Sequence, residues 1–233
     1  MIERIDRDLI DVKFYTDYEI KLSNENRRGY LTYAYYYIIE NVFNKSEIIE
    51  LNDILQNYDH ITEKGTVVGK NEKESIGQNY RNSNVFFVKD SNIIKTYEDR
   101  IVNTVEEVNK NIFNFELSNY MAPQYTVYKE EMYFDWHPDG PFGVLDSRGL
   151  NCIPRDLSWR KLSAVLCLTP QDKYTGGDFQ IILPNHPNNC INTIRMDAGS
   201  MILFPSFLSH RVLPVETGTR KTLVYWFCGP RWK

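Results

Sequence analysis

The spacing of apolar residues changes near residue 120. Before that point they recur every three or four positions, as on one face of a helix. After it they fall into short alternating or continuous runs. Asn44 and Glu47 have the spacing of a capping box, and Ile48, Leu51, Ile54, Leu55 and Tyr58 continue along one helical stripe. A longer stripe of Ile94, Tyr97, Ile101, Val105, Val108 and Ile112 predicts a second helix, with Ser91 as its N-cap. Such a stripe requires an apolar surface to pack on.

The β-branched and aromatic content of Tyr33 to Ile39 and Asn84 to Val88 suits strands. Residues 62 to 79 are polar, contain Gly65, Gly69 and Gly77, and read as a loop. The first 30 residues, punctuated by Arg27-Arg28-Gly29, fit either an arm or an edge strand. Eight strands follow: Gln124 to Lys129, Met132 to His137, Lys161 to Thr169, Asp178 to Leu183, Ile191 to Met196, Ser200 to Phe204, Ser209 to Val215 and Arg220 to Cys228. Short strands separated by Gly, Pro and Asn predict a double-sheet jelly roll or a barrel. The expected class is therefore α+β. It is a single catalytic domain over 1–233, with 1–120 as support and 121–233 as the β core.

Composition narrows the function classes. Lys and Arg total 27 against 31 Asp and Glu, for a net charge of -4 and a sequence pI near 5.7. A dedicated duplex nucleic-acid binder usually shows a basic surplus, so no nucleic-acid partner is expected. An apolar content of 42% is enough for a packed core. The opening MIERIDRDLIDVKF has no leader pattern, and no run approaches the roughly 18 apolar residues of a membrane helix. Cys152, Cys167, Cys190 and Cys228 form no CxxC pair and read as free thiols. The expectation is a soluble, cytoplasmic protein with no membrane contact. The excess of Asn (21) over Ala (4) points to an AT-rich source such as a phage.

With only 4 His in the chain, any metal site must be economical. His137 and Asp139 stand at i and i+2, which on a strand would point both to one face. Alone, that pair is a weak signal. The segment FPSFLSHRVLPVETGTRKTLVYW adds His210, a Gly218 turn and Arg220 at the start of a return strand. There Arg220, Thr222, Val224 and Trp226 would share one face, looking inward with His210. Leu223, Tyr225 and Phe227 would share the other and pack on the long helix stripe. Two His and one carboxylate on one side of an ion form a facial triad with three open positions, the arrangement of non-haem iron(II) oxygenases. A buried Arg could hold the far carboxylate of a 2-oxoacid cosubstrate through a two-pronged contact. Thr222 could add a hydroxyl.

These residues, with Tyr128 ahead of WHPD and the run Tyr174-Thr-Gly-Gly-Asp178-Phe, resemble the iron(II)- and 2-oxoglutarate-dependent dioxygenases of the prolyl 4-hydroxylase-like branch. The resemblance is strong over about 124–230, weaker over 40–120 and absent before residue 30. It implies a double-stranded β-helix backed by N-terminal helices, and iron bound by His137, Asp139 and His210. It further implies that Arg220 and Tyr128 hold 2-oxoglutarate and that Trp226 lines the pocket. Collagen-type members carry Lys where this chain has Arg220; the Arg form is common in bacterial and phage relatives. The implied reaction consumes dioxygen and 2-oxoglutarate, releases succinate and carbon dioxide, and hydroxylates an unactivated C–H. Ascorbate enters as an accessory reductant.

The implied substrate is a prolyl residue in a peptide or protein. The alternatives are a free amino acid, a lysyl residue or another small metabolite, and, from a different class, a catalytically silent jelly-roll binding module. The segment between Asp139 and Lys161 reads as a lid, with Phe142, Arg148, Trp159 and Arg160 as substrate contacts. Tyr133 could stack on a substrate ring, although packing explains it equally well. Trp226 divides evenly between pocket and core. Gly176-Gly177 reads as a turn or bulge, and His60 and His186 as surface histidines.

Overall fold

The computed structural model describes residues 35–57, 80–88, 91–140, 159–183 and 191–230, plus the backbone of Val12–Lys13 and Glu63–Lys64. His60, Phe142, Arg148, His186 and most of the expected lid and polar loop lie outside the described residues.

In chain order the strands are β1 (Val12–Lys13), β2 (Tyr37–Ile39), β3 (Glu63–Lys64), β4 (Arg81–Asn82), β5 (Asn84–Phe87), β6 (Asn119–Tyr120), β7 (Gln124–Tyr128) and β8 (Tyr133–His137). They continue with β9 (Trp159–Cys167), β10 (Tyr174–Gly176), β11 (Phe179–Ile182), β12 (Ile191–Ile194), β13 (Met201–Pro205), β14 (His210–Val212), β15 (Val215–Gly218) and β16 (Arg220–Gly229). Helix α1 spans Lys45–Asn57 and helix α2 spans Lys95–Val108.

Nine strands make a large sheet in the order β1-β2-β13-β9-β16-β7-β5-β3, with β6 against β16. Five make a smaller sheet, β12-β11-β14-β8-β4, and β10 pairs β15 as a separate ribbon. This is the expected jelly roll, a double-stranded β-helix core with helices outside it. The expected hairpin from His210 to Arg220 does not form. Pro214 lacks a backbone N–H and interrupts the run, so β14, β15 and β16 join three different sheets.

The large sheet separates two apolar layers. Leu162, Ala164, Leu166, Leu223, Tyr225 and Phe227 point outward and pack with Leu51, Leu55, Ile94, Ile101, Val105 and Val108. That is the packing expected between the β16 face and the helix stripe. The alternate residues Val165, Cys167, Ile202 and Phe204 point inward and meet Phe179, Ile181 and Val212 of the smaller sheet. Burying one such aliphatic side chain contributes roughly 1.5–3 kcal/mol.

Helix α1 begins as its sequence predicts. The Asn44 amide donates to Glu47 Oε2 at 2.8 Å, and the Glu47 amide donates to Asn44 Oδ1 at 3.1 Å. Helix α2 does not. Ser91 opens a 3-10 turn, Ser91–Ile94, so Ile94 takes the N-cap position with no side-chain cap. Ile112 lies beyond the α-helix, in a π-turn at Asn109–Phe113. Among the described residues, no helix is long and apolar enough to cross a membrane.

Candidate active site

His137 closes β8 and His210 opens β14, and the two residues pair directly across the ladder. Their ring centroids are 4.3 Å apart. Each ring is fixed by the main chain two residues before it. His137 Nδ1 lies 2.7 Å from the Asp135 carbonyl, and His210 Nδ1 lies 2.9 Å from the Leu208 carbonyl. A carbonyl only accepts, so both Nδ1 atoms carry the proton and both Nε2 atoms present a lone pair. Asp139 completes the cluster, with Oδ1 3.9 Å from His137 Nε2 and Oδ2 3.6 Å from His210 Nε2. All three ligand atoms lie within 4.8 Å of one another.

The register slips where β8 meets β14: His137 faces His210, yet Phe134 faces Val212. This bulge puts Phe134 on the His137 side, where the rings stack at 3.4 Å between centroids. Tyr133, its neighbour, pairs with Asn82 of β4 and points to the opposite face. Phe204 and Phe179 stand 4.7 and 5.5 Å from the His210 ring. Burial in this aromatic shell, reinforced by nearby His210, pushes the His137 imidazole down to about 3, against the pull of Asp139. Burial also works against the charge of Asp139. The two imidazoles, Arg160 and the Ser163 hydroxyl outweigh it and hold the carboxyl below its ordinary range. With the His137 imidazole uncharged and Asp139 ionised, the cluster offers two imidazole Nε2 atoms and one carboxylate, the donor set of an iron(II) facial triad.

The structure corrects how Asp139 arrives. It does not share a strand face with His137, because Pro138 ends β8 and Asp139 lies in the bend beyond it. Its position is imposed by the large sheet instead. Ser163 Oγ on β9 donates to Asp139 Oδ2 at 2.8 Å and lies 2.9 Å from Ser206 Oγ. Arg160 Nη1 donates to the Asp139 carbonyl at 3.3 Å, and the Gly140 amide donates to the Ser206 carbonyl at 2.7 Å. Ser163 and Ser206 are fully buried.

Arg220, Thr222 and Trp226 lie on the inward face of β16, and all three are buried. Arg220 is 3% exposed, and no carboxylate is within ion-pair range of it among the described residues. Tyr128 is its cross-strand partner, with the guanidinium carbon 5.5 Å from the Tyr128 ring centroid. A buried guanidinium without a counter-ion is costly and well suited to an incoming carboxylate. Trp226 pairs with Ser163 across the ladder and carries the Arg160 guanidinium 3.9 Å over its ring. Its indole N–H is buried without a hydrogen-bond partner among the described residues. Trp226 therefore shares a rung with Ser163, the residue that holds Asp139. Trp159 lies at the outer end of the ladder, opposite Gly229.

Residues 123–228 match the model of the 2OG-Fe(II) oxygenase superfamily. That segment, just under half of the chain, is similar to the members of that superfamily. A PKHD-type hydroxylase of Cupriavidus pinatubonensis is 29% identical over 130 residues, which is 54% of this chain and 52% of the relative. The chain thus spans about half the length of the curated relatives it matches first. Two solved structures share the fold. A Pseudomonas putida prolyl-4-hydroxylase superposes with a TM-score of 0.61 at 17% identity, covering 84% of this chain and 94% of that one. A Trichoplax adhaerens prolyl hydroxylase in complex with a hypoxia inducible factor peptide fragment gives 0.62 at 19% identity, covering 83% of each chain.

The sequence alone pointed to the cluster His137, Asp139 and His210 and placed Arg220 inward. It gave no role to Phe134 or Ser163 and did not connect Ser206 with Asp139. A bulge brings Phe134 to His137, and long-range register brings the serines to Asp139. Neither leaves a spacing pattern in the chain.

Proposed function

We propose that the chain is an iron(II)- and 2-oxoglutarate-dependent dioxygenase that hydroxylates a prolyl residue in a peptide or protein, releasing succinate and carbon dioxide. The observation that carries this reading is a buried His-Asp-His cluster in the same sandwich as a buried arginine with no carboxylate in ion-pair range among the described residues. His137, Asp139 and His210 would hold the iron, which supplies the redox chemistry that dioxygen requires. Arg220 donates two N–H groups to the distal carboxylate of 2-oxoglutarate, with Thr222 and Tyr128 beside it. Phe134, Phe179 and Phe204 keep bulk water from the imidazoles. Trp226 lines the pocket beside the metal. Trp159 and Arg160, at the start of β9, and Arg148 are the proposed substrate contacts, whereas Tyr133, on the face of β8 away from the imidazoles, is not one of them.

The prolyl assignment is supported by the named chemistry of the relatives and structural neighbours, and by the acidic charge balance that disfavours nucleic acid. A soluble, cytoplasmic setting is part of the same reading. The test is succinate release with iron(II), ascorbate and a proline-rich peptide, together with a peptide mass gain of one oxygen atom. Turnover of free proline or lysine, with no turnover of any prolyl peptide, would redirect the substrate assignment. Absence of iron-dependent 2-oxoglutarate consumption with every substrate would leave a binding module.

A further inference from the structure

We infer that Arg81 tunes the metal cluster electrostatically: stacked on Phe134, it holds a positive charge against His137 and opposes added positive charge on the bound ion. This role presupposes that His137, Asp139 and His210 bind the metal, and deepens that reading. Arg81 of β4 lies directly across the ladder from Phe134 of β8, so the two side chains share one face of the smaller sheet. The Arg81 guanidinium carbon stands 4.2 Å from the Phe134 ring centroid. On Phe134 the His137 ring also lies, 3.4 Å away at an interplanar angle of 15°. One face of a phenyl ring has no room for both groups at those distances, so they take opposite faces. The order is cation, phenyl ring, imidazole.

The cation is held in place. Arg81 Nε donates to Ser83 Oγ at 2.7 Å, and Ser83 is buried where the chain passes from β4 to β5. The neighbouring Tyr80 hydroxyl donates to the Trp136 carbonyl at 2.5 Å, and its ring meets Phe134 edge-on at 5.7 Å. Among the described residues no carboxylate is in ion-pair range of Arg81. Asp135, next to Phe134, stands 3.8 Å from Arg211 instead. No water fits between rings stacked at 3.4 Å, so the field of Arg81 reaches His137 through hydrocarbon and is screened less than it would be by solvent. The stack is not needed to aim His137, whose Nδ1 is already tied to the Asp135 carbonyl. What the guanidinium adds is charge. Ferrous iron gains one positive charge when one electron leaves it, so a fixed cation here favours the ferrous form over the ferric one and loosens any divalent ion slightly.

The test is a charge series in the full chain: Arg81→Lys, Arg81→Met and Arg81→Glu, with His137→Ala as the control for the site. Co(II) affinity is measured by titration against a competing chelator at low and at high salt. The potential of the ferric/ferrous couple is measured anaerobically with mediators, without cosubstrate. Expected for Arg81→Met is a roughly threefold to tenfold fall in the Co(II) dissociation constant, the scale of one charge acting on a dication across a partly desolvated path. Arg81→Glu should bind Co(II) more tightly still, and Arg81→Lys should stay near the parent. The potential should fall in the same order, and high salt should shrink the differences. A packing role predicts the opposite sign, with Co(II) held more weakly by both Arg81→Met and Arg81→Glu. That result, no change in either variant, or movement of only one of the two readouts would overturn the role of Arg81. The metal site itself would still stand if His137→Ala abolishes Co(II) binding. If the parent binds Co(II) no better than His137→Ala, the assignment of the ligands is wrong.

Discussion

His137 and His210 occupy one rung of the smaller sheet, each with its Nδ1 tied to a main-chain carbonyl of its own segment. The backbone ladder, not the metal, thus sets their orientation. Chelation should accordingly leave the folded protein intact, with an unchanged far-ultraviolet spectrum. Adding back Fe(II) or Co(II) should raise the melting temperature in proportion to site occupancy. His137→Ala or Asp139→Ala should eliminate both that shift and turnover. A melting shift that survives either substitution would place the ion elsewhere.

Ser163 provides the hydroxyl that orients Asp139. Removing a hydrogen-bond partner of a metal ligand typically costs 10–100-fold in affinity or activity. Ser163→Ala should lower Co(II) affinity by about that range, and Ser206→Ala, one bond further out, should lower it less. Equilibrium titration with a competing chelator measures both, and equal effects would argue against a relay through Ser163.

Arg220 is buried, and among the described residues no carboxylate is in ion-pair range of it. An uncompensated buried charge destabilises a fold, so Arg220→Met should raise the melting temperature of the ligand-free protein while abolishing 2-oxoglutarate binding. Denaturation of the two proteins without cosubstrate provides the comparison. A variant less stable than the parent would mean that the guanidinium is already compensated.

The metal-free protein should lose stability in acid. His137 titrates at about 3 when folded and near 6.5 when unfolded, so between those values the unfolded chain binds the extra proton. The contribution of His137 is fully present above pH 6.5 and is lost as the pH falls toward 3. Urea unfolding of chelated protein at stepped pH should show this decline, and His137→Phe should flatten it. An unchanged slope in the variant would assign the acid sensitivity to other groups.

Ile101 is fully buried where α2 meets the back of β16. Ile101→Ala should cost about 2–5 kcal/mol of stability, within the range of large-to-small core substitutions. Co(II) affinity, measured well below the melting temperature, should not change. A matching loss of metal affinity would show that the helices shape the site as well as support it.

Periodicity made much of this architecture legible before any coordinates. The β16 alternation divided Leu223, Tyr225 and Phe227 from Arg220, Thr222 and Trp226, and both faces are where period two places them. The reciprocal Asn44–Glu47 cap and the Gly176–Gly177 bulge were equally readable, because each is a local bond or a local φ. What escaped was non-local. The strand from Ser209 to Val215 gave no sign that β14 and β16 belong to different sheets. Phe134 reaches His137 through a slip in register that no side-chain pattern announces. Ile94 sits where a polar N-cap was expected, because the 3-10 turn before it shifts the helix start by several residues. The two-residue strands β1, β3, β4 and β6 are too brief to show any period.

Asp139 and Gly140 are fastened to β9 and to the turn after β13, and the chain returns to the same place at Trp159 and Arg160. Both ends of the intervening stretch are thus anchored beside the His-Asp-His cluster. Its length and composition can be rewritten without shifting the carboxylate, whereas a single insertion in β8 or β14 would part the two imidazoles. The molecule therefore divides into a component that must be inherited intact and one that can be exchanged.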